Sequence, residues 1–142
     1  MSSASAVANT HELAAGQLLR GKYRVDGVLG EGGMGVVLDA FHVDLERRVA
    51  IKVLHSTLRD NAELVERFVR EGRAASRIEG DHIARVFDVD RLQDGTPFLV
   101  MEYLDGHDLS FVRKQRVVLP IRDAIEYVLQ ACTAIAQAHA CG

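Results

Sequence analysis

Apolar and polar residues alternate with a period of two over much of the first hundred positions, which predicts strands half-buried on one face. Residues 23–29 alternate in this way. Residues 36–42 form a short run rich in β-formers, and residues 47–54 place Val49, Ile51 and Val53 on one face and Ala50, Lys52 and Leu54 on the other. Residues 82–89 predict a fourth strand. Residues 98–103 predict a fifth, covered on both faces at its apolar start and emerging at Glu102. Between the third and fourth strands the period changes. Leu64, Phe68, Glu71, Ala75 and Ile78 recur at helical spacing, Asp60 with Glu63 reads as an N-cap and capping-box acid, and Gly80 supplies the stop for a helix over 61–78. The composition of residues 93–97 marks a turn. A short helix is expected over 109–113. A long one is expected over 121–139, opened by Pro120 and marked on its apolar side by Ile121, Ile125, Val128 or Leu129, Cys132, Ile135 and His139.

The chemistry begins between the first two strands, in Leu29-Gly30-Glu31-Gly32-Gly33-Met34-Gly35-Val36-Val37. Four glycines in six residues free the backbone to take positive φ and to approach a ligand without an intervening Cβ. A dinucleotide-binding glycine loop would open a helix and be followed about 20 residues later by an acid for the ribose. Neither condition holds, and no lysine follows Gly35 to make the other common phosphate loop. The glycines therefore join two antiparallel strands as a hairpin flap suited to a polyphosphate.

Ala50 and Lys52 share one strand face about 6 to 7 Å apart, so a flat ring can lie on Ala50 while the ammonium reaches phosphates. Lys52 sits in a core-like run and calls for a partner. Glu71 lies within the apolar stripe of the predicted helix, where an unpaired carboxylate is costly. It either pairs with Lys52 or swings to the rim and pairs with Arg67 or Arg70.

Composition narrows the class. The chain has 142 residues, is 48% hydrophobic and carries a net charge of −3, enough to bury one core and without a nucleic-acid footprint. No segment approaches the roughly 18 to 20 apolar residues of a membrane span. Residues 1–16 are rich in Ser and Ala, have no basic start or sustained apolar block, and read as a disordered leader and not a signal peptide. Cys132 and Cys141 read as reduced thiols, with no metal site implied. A cytoplasmic location is expected.

Leu29, Gly30, Gly32, Gly35 and Val37, then Val49-Ala50-Ile51-Lys52, then Arg70-Glu71 in a helix, then residues 98–104 together resemble the amino-terminal half of a protein kinase. The Gly32-Gly33-Met34-Gly35 version is similar to bacterial eukaryotic-like serine/threonine kinases. The resemblance runs from Tyr23 to the end of the sequence. It implies an α+β fold: a five-stranded antiparallel sheet with one regulatory helix, followed by a hinge and the first helices of a truncated helical lobe. Residues 1–20 would be leader, 21–104 the first lobe and hinge, and 105–142 the incomplete start of the second. It implies ATP held by Leu29, Gly30, Glu31, Gly32, Gly33, Met34, Gly35 and Val37 of the flap, by Ala50, Lys52 and Met101, and by the hinge backbone at Glu102 and Leu104, with a Lys52–Glu71 ion pair. Asp108 would stand near the ribose or substrate, or else serve as an ordinary N-cap. A protein substrate and Mg2+ are implied for the complete kinase. The catalytic loop and the metal-binding aspartate of the family do not occur in these 142 residues, so no metal ligand or catalytic residue is expected here and residues 1–142 alone are expected not to turn over. The competing expectations are a non-catalytic, pseudokinase-like binding module and a non-functional truncated product. The apolar side of residues 121–139 is expected to be exposed and to drive dimerisation.

Overall fold

The β-rich first part folds into a single antiparallel sheet in the computed structural model, which describes residues 13–116 and 118–141. Residues 1–12 of the expected leader lie outside the described residues. The strands are β1 (Leu18–Leu19), β2 (Tyr23–Glu31), β3 (Gly35–His42), β4 (Arg47–Leu54), β5 (Val86–Arg91) and β6 (Pro97–Glu102), in the order β1-β2-β3-β4-β6-β5. The sheet thus has six strands instead of five. The sixth, β1, lies in the stretch assigned to the leader, where Leu19 enters the core and the Gly16 amide donates to the Val25 carbonyl at 2.7 Å. The fourth predicted strand begins four residues later than expected, at Val86.

Period-two patterning builds the core directly. Val25 of β2, Val36, Leu38 and Ala40 of β3, Val49, Ile51 and Val53 of β4, and Phe98 and Val100 of β6 all point to one side and form one buried cluster. The opposite side is half covered by α1 (Ala62–Ala75), which packs Phe68 against Leu54 and Leu99, with Val65, Val89 and Met101 at the edge. The α1 N-cap is Asn61, not Asp60: its side chain accepts from the Leu64 amide at 3.2 Å.

The face that α1 buries runs through Phe68, Val69 and Gly72, so Glu71 lies off it. Gly72 explains this phase. A Cβ there would stand 2.3 Å from Leu99 Cδ2, so the helix comes down onto the sheet where it has no side chain. After β6 the chain forms α2 (Leu109–Gln115) and α3 (Ile121–Ala140). Helix α3 meets the 80–85 segment through Gln130 and Gln137, the latter against Gly80. Its apolar residues Ile121, Ile125, Val128, Leu129 and Ile135 are exposed, in line with the expectation for that helix.

Candidate functional site

The open half of the second sheet face carries the predicted side chains, and strand register aligns them. Val37 of β3 stands opposite Lys52 of β4, which in turn stands opposite Leu99 of β6; Gly30 of β2 faces Val37 in the same row. One step along, Asp39, Ala50 and Met101 make the next row. Ala50 is buried, while Val37, Lys52 and Met101 are half-buried. A cation therefore rises from an apolar floor. The Lys52 ammonium lies 6.0 Å from the centroid of the Phe68 ring.

The glycine hairpin covers one end of this floor. Its strands slip register between Val28 and Gly30, and the resulting irregularity leaves the Leu29 side chain substantially exposed. The loop glycines do not take the positive φ that the sequence had invited. Their service is spatial. A Cβ on Gly30, Gly32 or Gly33 would meet nothing, so open room surrounds their backbone, whereas one on Gly35 would strike the Val53 carbonyl oxygen at 2.1 Å. Gly35 thus seats the hairpin on β4.

Sequence reasoning passed over His55, which ties the hairpin tip to the end of β4. Its amide donates to the Met34 carbonyl at 3.0 Å, and its ring Nε2 lies 2.7 Å from the Gly32 carbonyl oxygen and 3.9 Å from a Glu31 carboxylate oxygen. A carbonyl only accepts, so Nε2 carries the proton in that bond. No period in the sequence announces a contact between positions 23 residues apart.

The expected Lys52–Glu71 ion pair is not formed. Glu71 is exposed and accepts from Arg67 Nε at 2.8 Å one helical turn earlier, which raises the Arg67 pKa above its ordinary value. The cause is the α1 phase set by Gly72, which turns Glu71 out to the rim.

At the other end of the floor, Arg48 donates to both carboxylate oxygens of Asp39, one at 2.8 Å, and lies 3.9 Å over the Tyr103 ring, tying the segment after β6 to β4. That hydrogen bonding raises the Arg48 pKa. The Glu102 amide donates to the Arg85 carbonyl at 2.8 Å and its carboxylate accepts from the Arg85 amide at 3.3 Å, so the amide is already engaged. Leu104 is exposed and makes no backbone hydrogen bond among the described residues. Both residues line a cleft of about 480 Å³ shared with the 80–85 segment and Gln130. Asp108 caps α2, accepting from the Phe111 amide at 2.7 Å. Among the described residues no three His, Cys, Asp or Glu side chains gather to hold a metal, and no helix is long and apolar enough to cross a membrane.

Residues 23–142 match the family described as Protein kinase domain. The chain is 37% identical over 127 residues to the serine/threonine-protein kinase pkn3 of Myxococcus xanthus, covering 89% of this chain and 23% of that protein. It is 38% identical over 131 residues to the serine/threonine-protein kinase PknA of Mycobacterium tuberculosis, covering 89% of this chain and 30% of that one. Among solved structures it is similar to the PknI kinase domain of M. tuberculosis, with a TM-score of 0.81 and 32% identity over 92% of this chain and 52% of that domain. The chain thus spans less than a third of these two curated relatives and about half of a kinase domain.

Proposed function

The chain belongs to the protein kinase domain family, and from that premise we propose that it forms the ATP-binding part of a serine/threonine protein kinase acting on protein hydroxyls. One observation carries the reading: the row of Gly30, Val37, Lys52 and Leu99 beside that of Asp39, Ala50 and Met101, which stands a single cation on an apolar floor beneath a glycine hairpin. The residues fit ATP, because open space surrounds Gly30, Gly32 and Gly33 and Lys52 has no carboxylate partner among the described residues.

ATP supplies the phosphoryl group to be transferred. Lys52 neutralises phosphate charge, and Val37, Ala50 and Met101 exclude water from the base. The unpartnered Leu104 backbone fixes base orientation, with Leu29, Glu31, Met34 and Gly35 shaping the flap. Glu71 holds Lys52 only if it leaves Arg67, so the state described here has that ion pair broken. Asp108 acts through the α2 cap. The family's protein ligands for Mg2+ and its proton-accepting aspartate are not among residues 1–142, so this segment binds nucleotide but does not turn over by itself.

The test compares the native full-length protein with its Lys52→Met variant and with residues 1–142. Lys52→Met lowers ATP affinity or phosphorylation by about tenfold to a hundredfold, the scale of a charge-assisted hydrogen bond. Residues 1–142 give no phosphorylated product. Unchanged phosphorylation by Lys52→Met would overturn the role of the lysine. Nucleotide binding by a full-length protein that transfers no phosphate would instead select the pseudokinase-like module.

A further inference from the structure

The bond from His55 to the hairpin falls on a peptide unit unlike any other in the sequence. Gly32-Gly33 is the one pair of adjacent glycines in the chain. With no Cβ on either side, the torsions flanking their shared peptide turn with little steric resistance, so the unit can rotate and exchange the directions of its carbonyl and its N–H. A hairpin that approaches an anion needs one of those directions and not the other.

In a trans peptide the carbonyl and the following N–H point to opposite sides, and no described peptide bond is cis. The Gly32 carbonyl oxygen lies 2.7 Å from His55 Nε2, so the Gly33 N–H points away from His55. That N–H has no hydrogen-bond partner among the described residues, and a Cβ on Gly33 would meet nothing within 4 Å. An amide aimed into open space attracts an anion. The rotated unit would set a carbonyl oxygen there and repel it.

His55 delivers its ring from a fixed base. Its amide donates to the Met34 carbonyl at 3.0 Å, and its carbonyl accepts from the Leu58 amide at 2.9 Å, where the short helical turn Ser56–Leu58 begins. The Gly32 amide is held separately, donating to the Gly35 carbonyl at 2.9 Å. The Glu31 carboxylate, at 3.9 Å from Nε2, stands beyond hydrogen-bond distance. Among the described residues the His55 ring is therefore the one donor to the Gly32 carbonyl.

We propose that His55 is a positioning residue for nucleotide phosphates: its Nε2–H locks the Gly32-Gly33 peptide with the Gly33 amide turned to the phosphate side. Loss of the ring donor lets the unit rotate and weakens the hold on phosphate while the base contacts stay as they are. This rests on the ATP reading above and adds to it a residue that acts through the hairpin without touching the ligand.

The test is isothermal titration calorimetry of the native full-length protein with ADP and with adenosine, which lacks phosphates. His55→Phe keeps a flat ring without a donor and weakens ADP at least about tenfold, the scale of one charge-assisted hydrogen bond, while adenosine stays within about twofold. His55→Asn, whose nitrogen falls short of the Nε2 position, loses as much. His55→Gln, whose amide nitrogen reaches that position, returns ADP to within about threefold of the native value. Thermal midpoints of the variants are checked against the native one. Parallel loss of ADP and adenosine, undiminished ADP binding by both His55→Phe and His55→Asn, or no recovery in His55→Gln would each overturn the proposal. ADP binding that Lys52→Met weakens and His55→Phe does not would remove this inference and leave the nucleotide reading standing. A native protein that binds neither ligand would remove both.

Discussion

Tyr23 joins core packing to a polar network at the scale of one residue. Its ring is buried edge-on against His42, at 4.9 Å, and Phe98, at 6.2 Å, while its hydroxyl donates to Asp88 at 3.3 Å. Burial, then the Asp88 charge and that hydrogen bond, push its pKa up to about 12. The fold disfavours the phenolate, so the stability that Tyr23 contributes is complete below its unfolded pKa of about 10 and is lost as pH rises through about 12. Absorbance at 295 nm should show a tyrosine ionisation step at about pH 12, and Tyr23→Phe should abolish that step. A titration curve left unchanged by Tyr23→Phe in that range would show that the hydroxyl is not held this way.

At the scale of elements, the contact between α1 and the sheet depends on Phe68, which is buried against Leu54 and Leu99. Phe68→Ala should lower the unfolding free energy by about 3 kcal/mol, the cost of a lost transfer term plus a cavity, measured by urea denaturation of the native protein. A loss below about 1 kcal/mol would mean that α1 is docked by other contacts. The strands were legible because a two-residue period and β-branched residues fix which side each residue takes, and Val49, Ile51 and Val53 took the predicted one. The helix was legible in existence but not in phase. Phe68 belongs to both candidate stripes, and Gly72, blank in any hydrophobic pattern, decides between them by allowing close approach. With that phase went the expected partner of Lys52. The two residues of β1 are too few to display a period.

The whole molecule pairs a finished core with an unfinished surface. Ile121, Ile125, Val128, Leu129 and Ile135 lie exposed along α3, whose Gln130 and Gln137 meet the 80–85 segment. A contiguous apolar strip of this kind marks an interface. Residues 1–142 prepared alone should therefore self-associate in light scattering coupled to size-exclusion chromatography, and Ile125→Glu with Leu129→Glu should return them to monomers. A monomer at every concentration without those changes would contradict this. Across the sheet, His55 grips the hairpin tip at the Gly32 and Met34 carbonyls. Fixing a residue's backbone costs roughly 1–2 kcal/mol of conformational entropy, and for Gly32, Gly33 and Met34 much of that loss falls on folding. Under the ATP-binding reading proposed above, a polyphosphate arriving beneath the hairpin would meet a loop already ordered, so less of its binding free energy would be offset by immobilising the protein.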